Sequence, residues 1–227
     1  MTADTLHCDA ILFDLDGVLV DSRECVERTW RNWAAERGLD PELVLREAHG
    51  RRTLETIARV APHLDAATEG ARIAASETGE TRGMYEIAGA RELLASLPPR
   101  RWAIVTSGIR AVAETRIRHM QLPTPPVLIP ADEISHGKPH PEGYLTAARR
   151  LSIDPERCIV VEDAPPGIEA ARAAGMRAIG VLGTYPPDAL VAADVVVSSV
   201  AALRVTARNG GLAIALSHDG SRAAGGA

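Results

Sequence analysis

Over the second half of the chain, short apolar runs alternate with stretches of helical periodicity, and that alternation constrains the fold more than any other feature. Trp102 to Val105, Val127 to Ile129, Cys158 to Val161, Ala178 to Val181 and Val195 to Val197 read as strands. Between them lie helical stripes: Leu93, Leu94 and Leu97; Ile109, Val112, Ile117 and Met120; Leu145, Ala148 and Leu151; and Ile168 to Ala174. Strands that alternate with helices predict a parallel sheet covered on both faces and joined by right-handed crossovers. Residues 9–14 supply a further buried strand near the N-terminus. The expected class is α/β, with a doubly wound, Rossmann-like parallel-sheet core.

The stretch between that first strand and Gly89 behaves differently. Val26, Trp30 and Trp33 recur at i, i+4 and i+7, the spacing of a helix running to about Gly38, in which both tryptophans are expected to pack. Asp21 or Ser22 is placed to cap this helix, with Glu24 as the capping-box partner of Asp21. Leu43, Leu54, Ile57, Leu64, Ala67, Ala71 and Ala74 continue in helical spacing, broken at Pro41, Gly50, Pro62 and Gly79. No strand-like alternation is visible between residues 22 and 86, which predicts an all-helical block inserted after the first strand. The division that follows is a core of residues 1–20 and 87–216, an inserted helical domain of 21–86, and a disordered tail of 217–227, which is small, polar and Gly-rich.

Composition narrows the function. A net charge of −5 argues against nucleic acid, whose backbone calls for a basic face. No apolar run approaches the ~20 residues of a spanning helix. The acidic N-terminus has no signal-like apolar core, and three cysteines without metal-ligand spacing fit a reducing cytoplasm. Cys158, at the start of a strand, reads as a small buried hydrophobe. Of 25 basic residues one is a lysine, Lys138. A chain that otherwise uses arginine throughout has placed an ammonium at one position.

In doubly wound sheets ligands bind at the carboxyl ends of strands, so those ends are the places to look for chemistry. The first strand stops in Asp14-Leu15-Asp16-Gly17. Residues two apart in extended chain point the same way, and like charges so close call for a divalent cation or a shared proton. An Asp-Gly turn is the competing reading. Val105 is followed by Thr106, Ser107 and Gly108, which suit a phosphate cradle or an ordinary helix cap. The loop after the third strand carries Lys138 between Gly137 and Pro139. Val161 is followed by Glu162 and Asp163. Oxygen donors without His or Cys suit a hard cation such as Mg2+. Carboxylate, hydroxyl, ammonium and Mg2+ are together the parts for phosphoryl transfer.

With these residues in place, the chain resembles the haloacid dehalogenase-like hydrolase superfamily, in the branch with a helical cap after the first motif. Four motifs carry the resemblance in order: Asp14-Leu15-Asp16-Gly17-Val18, Thr106-Ser107-Gly108, Lys138-Pro139 with Pro141-Glu142, and Val161-Glu162-Asp163-Ala164. The resemblance implies that Asp14 is the nucleophile and Asp16 the general acid and base. It implies that Thr106, Ser107, Gly108 and Lys138 hold phosphate, with Lys138 also restraining Asp14. Mg2+ would be bound by Asp14, the main-chain carbonyl of Asp16 and Asp163, with Glu162 close by. The cap stretch Ala48 to Glu55 is similar to that of sugar-phosphate and glycerol-phosphate phosphatases, which makes His49, Arg51, Arg52 and Glu55 candidates for substrate binding. A solvated basic turn is the alternative.

The expected activity is a Mg2+-dependent phosphatase of small sugar or polyol phosphates, acting as a cytoplasmic monomer or weak dimer without nucleic-acid or membrane partners. A β-phosphoglucomutase-like mutase is the runner-up. That family tends to carry a histidine early in the first cap helix, where this chain has Val26. A non-catalytic sugar-phosphate sensor is the third reading.

Overall fold

The computed structural model describes residues 5–48, 50–208 and 210–217; His49 and the tail from residue 218 lie outside the described residues. In chain order the elements are β1 (Thr5–Cys8), β2 (Ala10–Phe13), β3 (Val20–Asp21), α1 (Arg23–Arg37), α2 (Pro41–Ala48), α3 (Thr53–Val60), α4 (Ala66–Gly79) and β4 (Tyr85–Glu86). Then follow α5 (Ala90–Ser96), β5 (Trp102–Val105), α6 (Arg110–His119), β6 (Leu128–Ile129), α7 (Glu142–Leu151), β7 (Cys158–Glu162), α8 (Pro165–Ala173), β8 (Arg177–Val181), β9 (Val195–Val197), β10 (Leu203–Arg208) and β11 (Gly211–Leu216).

Six strands form a parallel sheet in the order β6-β5-β2-β7-β8-β9. The chain runs outward from β2 to one edge through β5 and β6, then returns beside β2 with β7 and runs to the other edge. This reversal is the topological switch point at which doubly wound sheets bind ligands. Alternate residues of β2 face opposite layers. Ile11 and Phe13 pack with α5 and α6 residues such as Leu94 and Ile117, whereas Ala10 and Leu12 pack with Tyr144 of α7 and Ile168 of α8. Burial on both faces explains why the strands read as continuous apolar runs.

Three features depart from the sequence expectation. Val195–Val197 is the last strand of the main sheet but not of the chain. β10 and β11 form a hairpin that β1 joins in a separate antiparallel sheet, and Leu203, Leu212 and Ile214 seal the α5–α6 side of the core. The stretch 22–86 is not purely helical either, because β3 and β4 pair antiparallel, Val20 with Glu86 and Asp21 with Tyr85, where the chain leaves and re-enters the sheet region. Finally, Leu43 and Leu54 are exposed. The inward stripe of α1–α4 is Trp30, Trp33, Val44, Leu45, Ile57 and Ile73, which form their own cluster. Trp30 and Trp33 meet edge to face at 5.5 Å, and Trp33 Nε1 donates to Glu69 of α4 at 2.7 Å.

Candidate active site

The ends of β2, β5 and β7 and the loop before α7 converge on one cleft of about 120 Å3, closed from the other side by α1, α4 and the α2–α3 turn. Asp14 and Lys138 are buried at its floor, and Lys138 Nζ donates to Asp14 Oδ1 at 2.5 Å. The same ammonium donates to Glu162 Oε1 at 2.6 Å. Glu162 Oε1 also accepts from Tyr144 Oη at 3.1 Å, and Oε2 accepts the backbone N–H groups of Asp163 and Ala164 at 2.9 Å each. A carboxylate offers about four lone-pair positions. Those of Glu162 are filled by protein donors, so its geometry is that of an anchor for Lys138.

Asp14, Glu162 and Asp163 present carboxylate oxygens that all lie within 4.8 Å of one another. Burial raises the Asp14 carboxyl to about 7; Lys138 opposes the rise, while Glu162 and Asp16 add to it. Asp163 is likewise held well above the usual range by burial and by Glu162 and Asp14, with a hydrogen bond from Thr184 opposing. Burial alone would lower Lys138, but Asp14 and Glu162 outweigh it and hold the ammonium well above its normal pKa. Three buried carboxylates against one ammonium leave an excess of negative charge with oxygen donors only. With Glu162 saturated by protein donors, the oxygens of Asp14 and Asp163 are the ones that fit a hard divalent cation, which would remove the mutual repulsion.

Asp-Gly at residues 16 and 17 is a turn and part of the site at once. Gly17 adopts φ +84°, its N–H donates to Val20 O at 2.8 Å, and a Cβ there would sit 1.9 Å from Asp163 Oδ2. Only glycine permits both the left-handed conformation and the approach of Asp163. Asp16 stands outside the Asp14, Glu162 and Asp163 cluster. Its Oδ1 accepts from Ser22 Oγ at 2.5 Å and its Oδ2 from Arg116 Nη1 at 2.6 Å. Ser22 is therefore the residue before α1 but does not cap it, and Asp21 instead pairs with Arg23. The expected capping box does not form: Asp21 is taken up by Arg23, and the Ser22 hydroxyl is turned toward Asp16, a charged acceptor.

Thr106 is buried, and its Oγ1 accepts the Gly108 N–H at 3.0 Å, which shapes the turn ahead of α6. Ser107 Oγ donates across the cleft to Gly50 O at 3.3 Å. Of the α2–α3 turn, Gly50, Arg51 and Thr53 line the cleft. Arg52 turns aside to Glu55 at 2.7 Å and to Ile134 O at 3.1 Å, so Arg52 and Glu55 satisfy each other outside the main cleft. Val26 and Trp30 give the opposite wall an apolar surface. Arg116, Glu77, Tyr144, Thr184 and Tyr185 are additions that the strand-end reasoning did not reach. Arg116 and Glu77 had a signal: each stands four residues after a buried apolar residue, Val112 and Ile73, on the inward stripe of its helix.

A family model for haloacid dehalogenase-like hydrolases matches residues 8–175. The chain belongs to that family. It is 39% identical over 214 residues to hexitol phosphatase A of Escherichia coli K12, covering 91% of this chain and 98% of that protein. It is 34% identical over 220 residues to glycerol-1-phosphate phosphohydrolase 2 of Saccharomyces cerevisiae, covering 90% and 88%. Among solved structures, CbbY from Rhodobacter sphaeroides in complex with phosphate superposes with a TM-score of 0.71 at 26% identity, over 86% of this chain and 95% of that one. A β-phosphoglucomutase from Clostridium difficile gives 0.70 at 26%, over 85% and 91%.

Proposed function

We propose that this protein is a Mg2+-dependent phosphatase of small phosphomonoesters, sugar or polyol phosphates, that works through an aspartyl-phosphate intermediate. The observation that carries the reading is the Asp14–Lys138 pair at the floor of a small cleft, beside Asp163 and below Thr106. It is supported by extended similarity to phosphatases named for hexitol and glycerol phosphates. Asp14 attacks phosphorus, and the bond from phosphorus to the ester oxygen breaks. Asp16 gives the departing alkoxide a proton and then takes one from the water that hydrolyses the aspartyl phosphate. Lys138, Thr106 and the backbone of Ser107 and Gly108 hold the phosphoryl oxygens, with Glu162 fixing Lys138.

Asp14, Asp163 and the main-chain carbonyl of Asp16, with Glu162 close by, would hold Mg2+, which neutralises charge on the transferring phosphoryl group when bound. Residues 21–86 act as a cap domain over a core of 1–20 and 87–216. Arg51 and Thr53 of that cap meet the substrate's hydroxyls. Three buried free cysteines fit a cytoplasmic setting. No helix of the described residues is long and apolar enough to cross a membrane.

A mutase is the second reading, favoured by the similarity to a β-phosphoglucomutase. Against it stands Val26, early in the first cap helix where that mutase family tends to carry a histidine, which with Trp30 gives the cleft an apolar wall. A panel of hexose, hexitol and glycerol phosphates with and without Mg2+ separates the readings. Stoichiometric free phosphate supports hydrolysis; glucose 6-phosphate formed from β-glucose 1-phosphate without free phosphate supports the mutase. No turnover on the whole panel by a folded, Mg2+-loaded protein would favour a sensor.

A further inference from the structure

Arg116 is 3% exposed, and burying a guanidinium is unfavourable unless partners compensate for the lost hydration. Its partners belong to two different parts of the molecule. Nη1 donates to Asp16 Oδ2 at 2.6 Å, in the catalytic cleft, and Nη2 donates to Glu77 Oε1 at 3.2 Å, on α4 of the helical block. Glu77 is itself buried, and Arg116 Nε has no partner among the described residues. The guanidinium is therefore not saturated as a core ion pair would be. It is divided between the proton-transferring carboxylate and one acid of the block that covers it.

We propose that Arg116 is the positioning residue of Asp16, and that Glu77 makes this positioning depend on α4 being seated over the cleft. The proposal rests on the reading of Asp16 as the acid and base of a phosphatase. Arg116 and Ser22 take one oxygen of Asp16 each, which fixes both the rotamer and the plane of the carboxyl group. They also bind the form of Asp16 that remains once its proton has moved to the alkoxide. When the P–O bond breaks, the electron pair stays on the alkoxide oxygen, that oxygen receives the Asp16 proton, and the negative charge left on Asp16 faces Arg116. If the helical block lifts, Nη2 loses Glu77 and the guanidinium is held by Asp16 alone, free to draw that carboxylate out of line.

A residue that only ties the two parts together would slow every substrate alike. One that acts through proton transfer slows esters whose leaving group needs a proton, and spares those whose leaving group does not. The test measures kcat/KM of R116K, R116A and E77Q with Mg2+ on glycerol 1-phosphate, whose alkoxide must be protonated, and on p-nitrophenyl phosphate, whose phenolate leaves without a proton. D16N serves as the reference for a lost proton donor, and melting temperatures report folding. Expected is a loss on the alkyl ester at least tenfold greater than on the aryl ester in R116K, in the same direction as D16N, with a smaller split in E77Q. Should R116A fail to fold, R116K and E77Q carry the comparison. Equal losses on both esters in a folded R116K, or wild-type rates on both, overturn the inference while leaving the phosphatase reading intact. A wild-type protein that hydrolyses neither ester, nor any hexose or hexitol phosphate that could stand in for the alkyl ester, overturns both.

Discussion

Gly167 tests whether the packing around Glu162 outweighs local helix preference. It stands third in α8, where an alanine would ordinarily stabilise the helix by about 1 kcal/mol relative to glycine. A Cβ at this position would lie 1.7 Å from Glu162 Oε1 and 1.9 Å from Glu162 Cδ. A free glutamate could swing aside, but this one is held by Lys138, Tyr144 and two backbone N–H groups. Moving the carboxylate breaks at least two hydrogen bonds to a charged acceptor, at about 1.5–3 kcal/mol each. Setting the helix gain against that loss leaves Gly167→Ala destabilised by roughly 2–5 kcal/mol. At about 2–4 °C per kcal/mol for a chain of this size, the melting temperature falls by on the order of 10 °C. Gly79→Ala is the control. It is also helical, nothing lies within 4 Å of its Cβ position, and it is expected to hold or raise stability by up to about 1 kcal/mol. Thermal melts followed by circular dichroism compare the two. A Gly167→Ala protein as stable as the control would refute the claim that Glu162 is fixed.

The two arginines of the α2–α3 turn are expected to separate. Arg51→Ala, which opens the cleft wall, raises KM for a sugar phosphate severalfold with little change in melting temperature, whereas Arg52→Ala loosens the contact with Ile134 and Glu55 and shows first as lost stability; equal KM effects would contradict the geometry. Burial pushes the Cys8 and Cys158 thiols up to about 12 and raises Cys25, so all three remain neutral at pH 8 and react slowly with iodoacetamide until urea is added. Rapid stoichiometric labelling of the native protein would be inconsistent with this.

The main sheet and the floor of the site were legible because both depend on local pattern. A buried parallel strand must be apolar throughout, and doubly wound topology sends its last residues to one edge, so Asp14, Thr106, Lys138 and Asp163 could be gathered from four separate stretches. What escaped depends on partners far away in the chain. Arg116 meets Asp16 across 100 positions and Glu77 across 39, so the place of each on an inward helical stripe signals burial but not its partners. The two-residue pairing of β3 with β4 is too short to show alternation. The β10–β11 hairpin did have a signal, Asn209-Gly210 between two runs rich in Leu, Val and Ile, which the small residues around it obscured. Asp21 or Ser22 reads as the cap of α1 because Ser, Thr and Asp usually serve as one. Here the Ser22 hydroxyl is instead turned to donate to a carboxylate six residues earlier, and it accepts nothing from the helix.

The decisive measurement is phosphate release from hexitol or glycerol phosphate by the wild-type protein and by Asp14→Asn, each with Mg2+ and after EDTA treatment. The substitution keeps the size of the side chain while removing the proposed nucleophile and one carboxylate charge. Expected are steady release by the wild type with Mg2+, loss of that release after EDTA with recovery on adding Mg2+ back, and a fall of at least about a thousandfold in Asp14→Asn with the fold intact. Turnover by Asp14→Asn at the wild-type rate, or full wild-type activity in the presence of EDTA, would contradict the proposed mechanism.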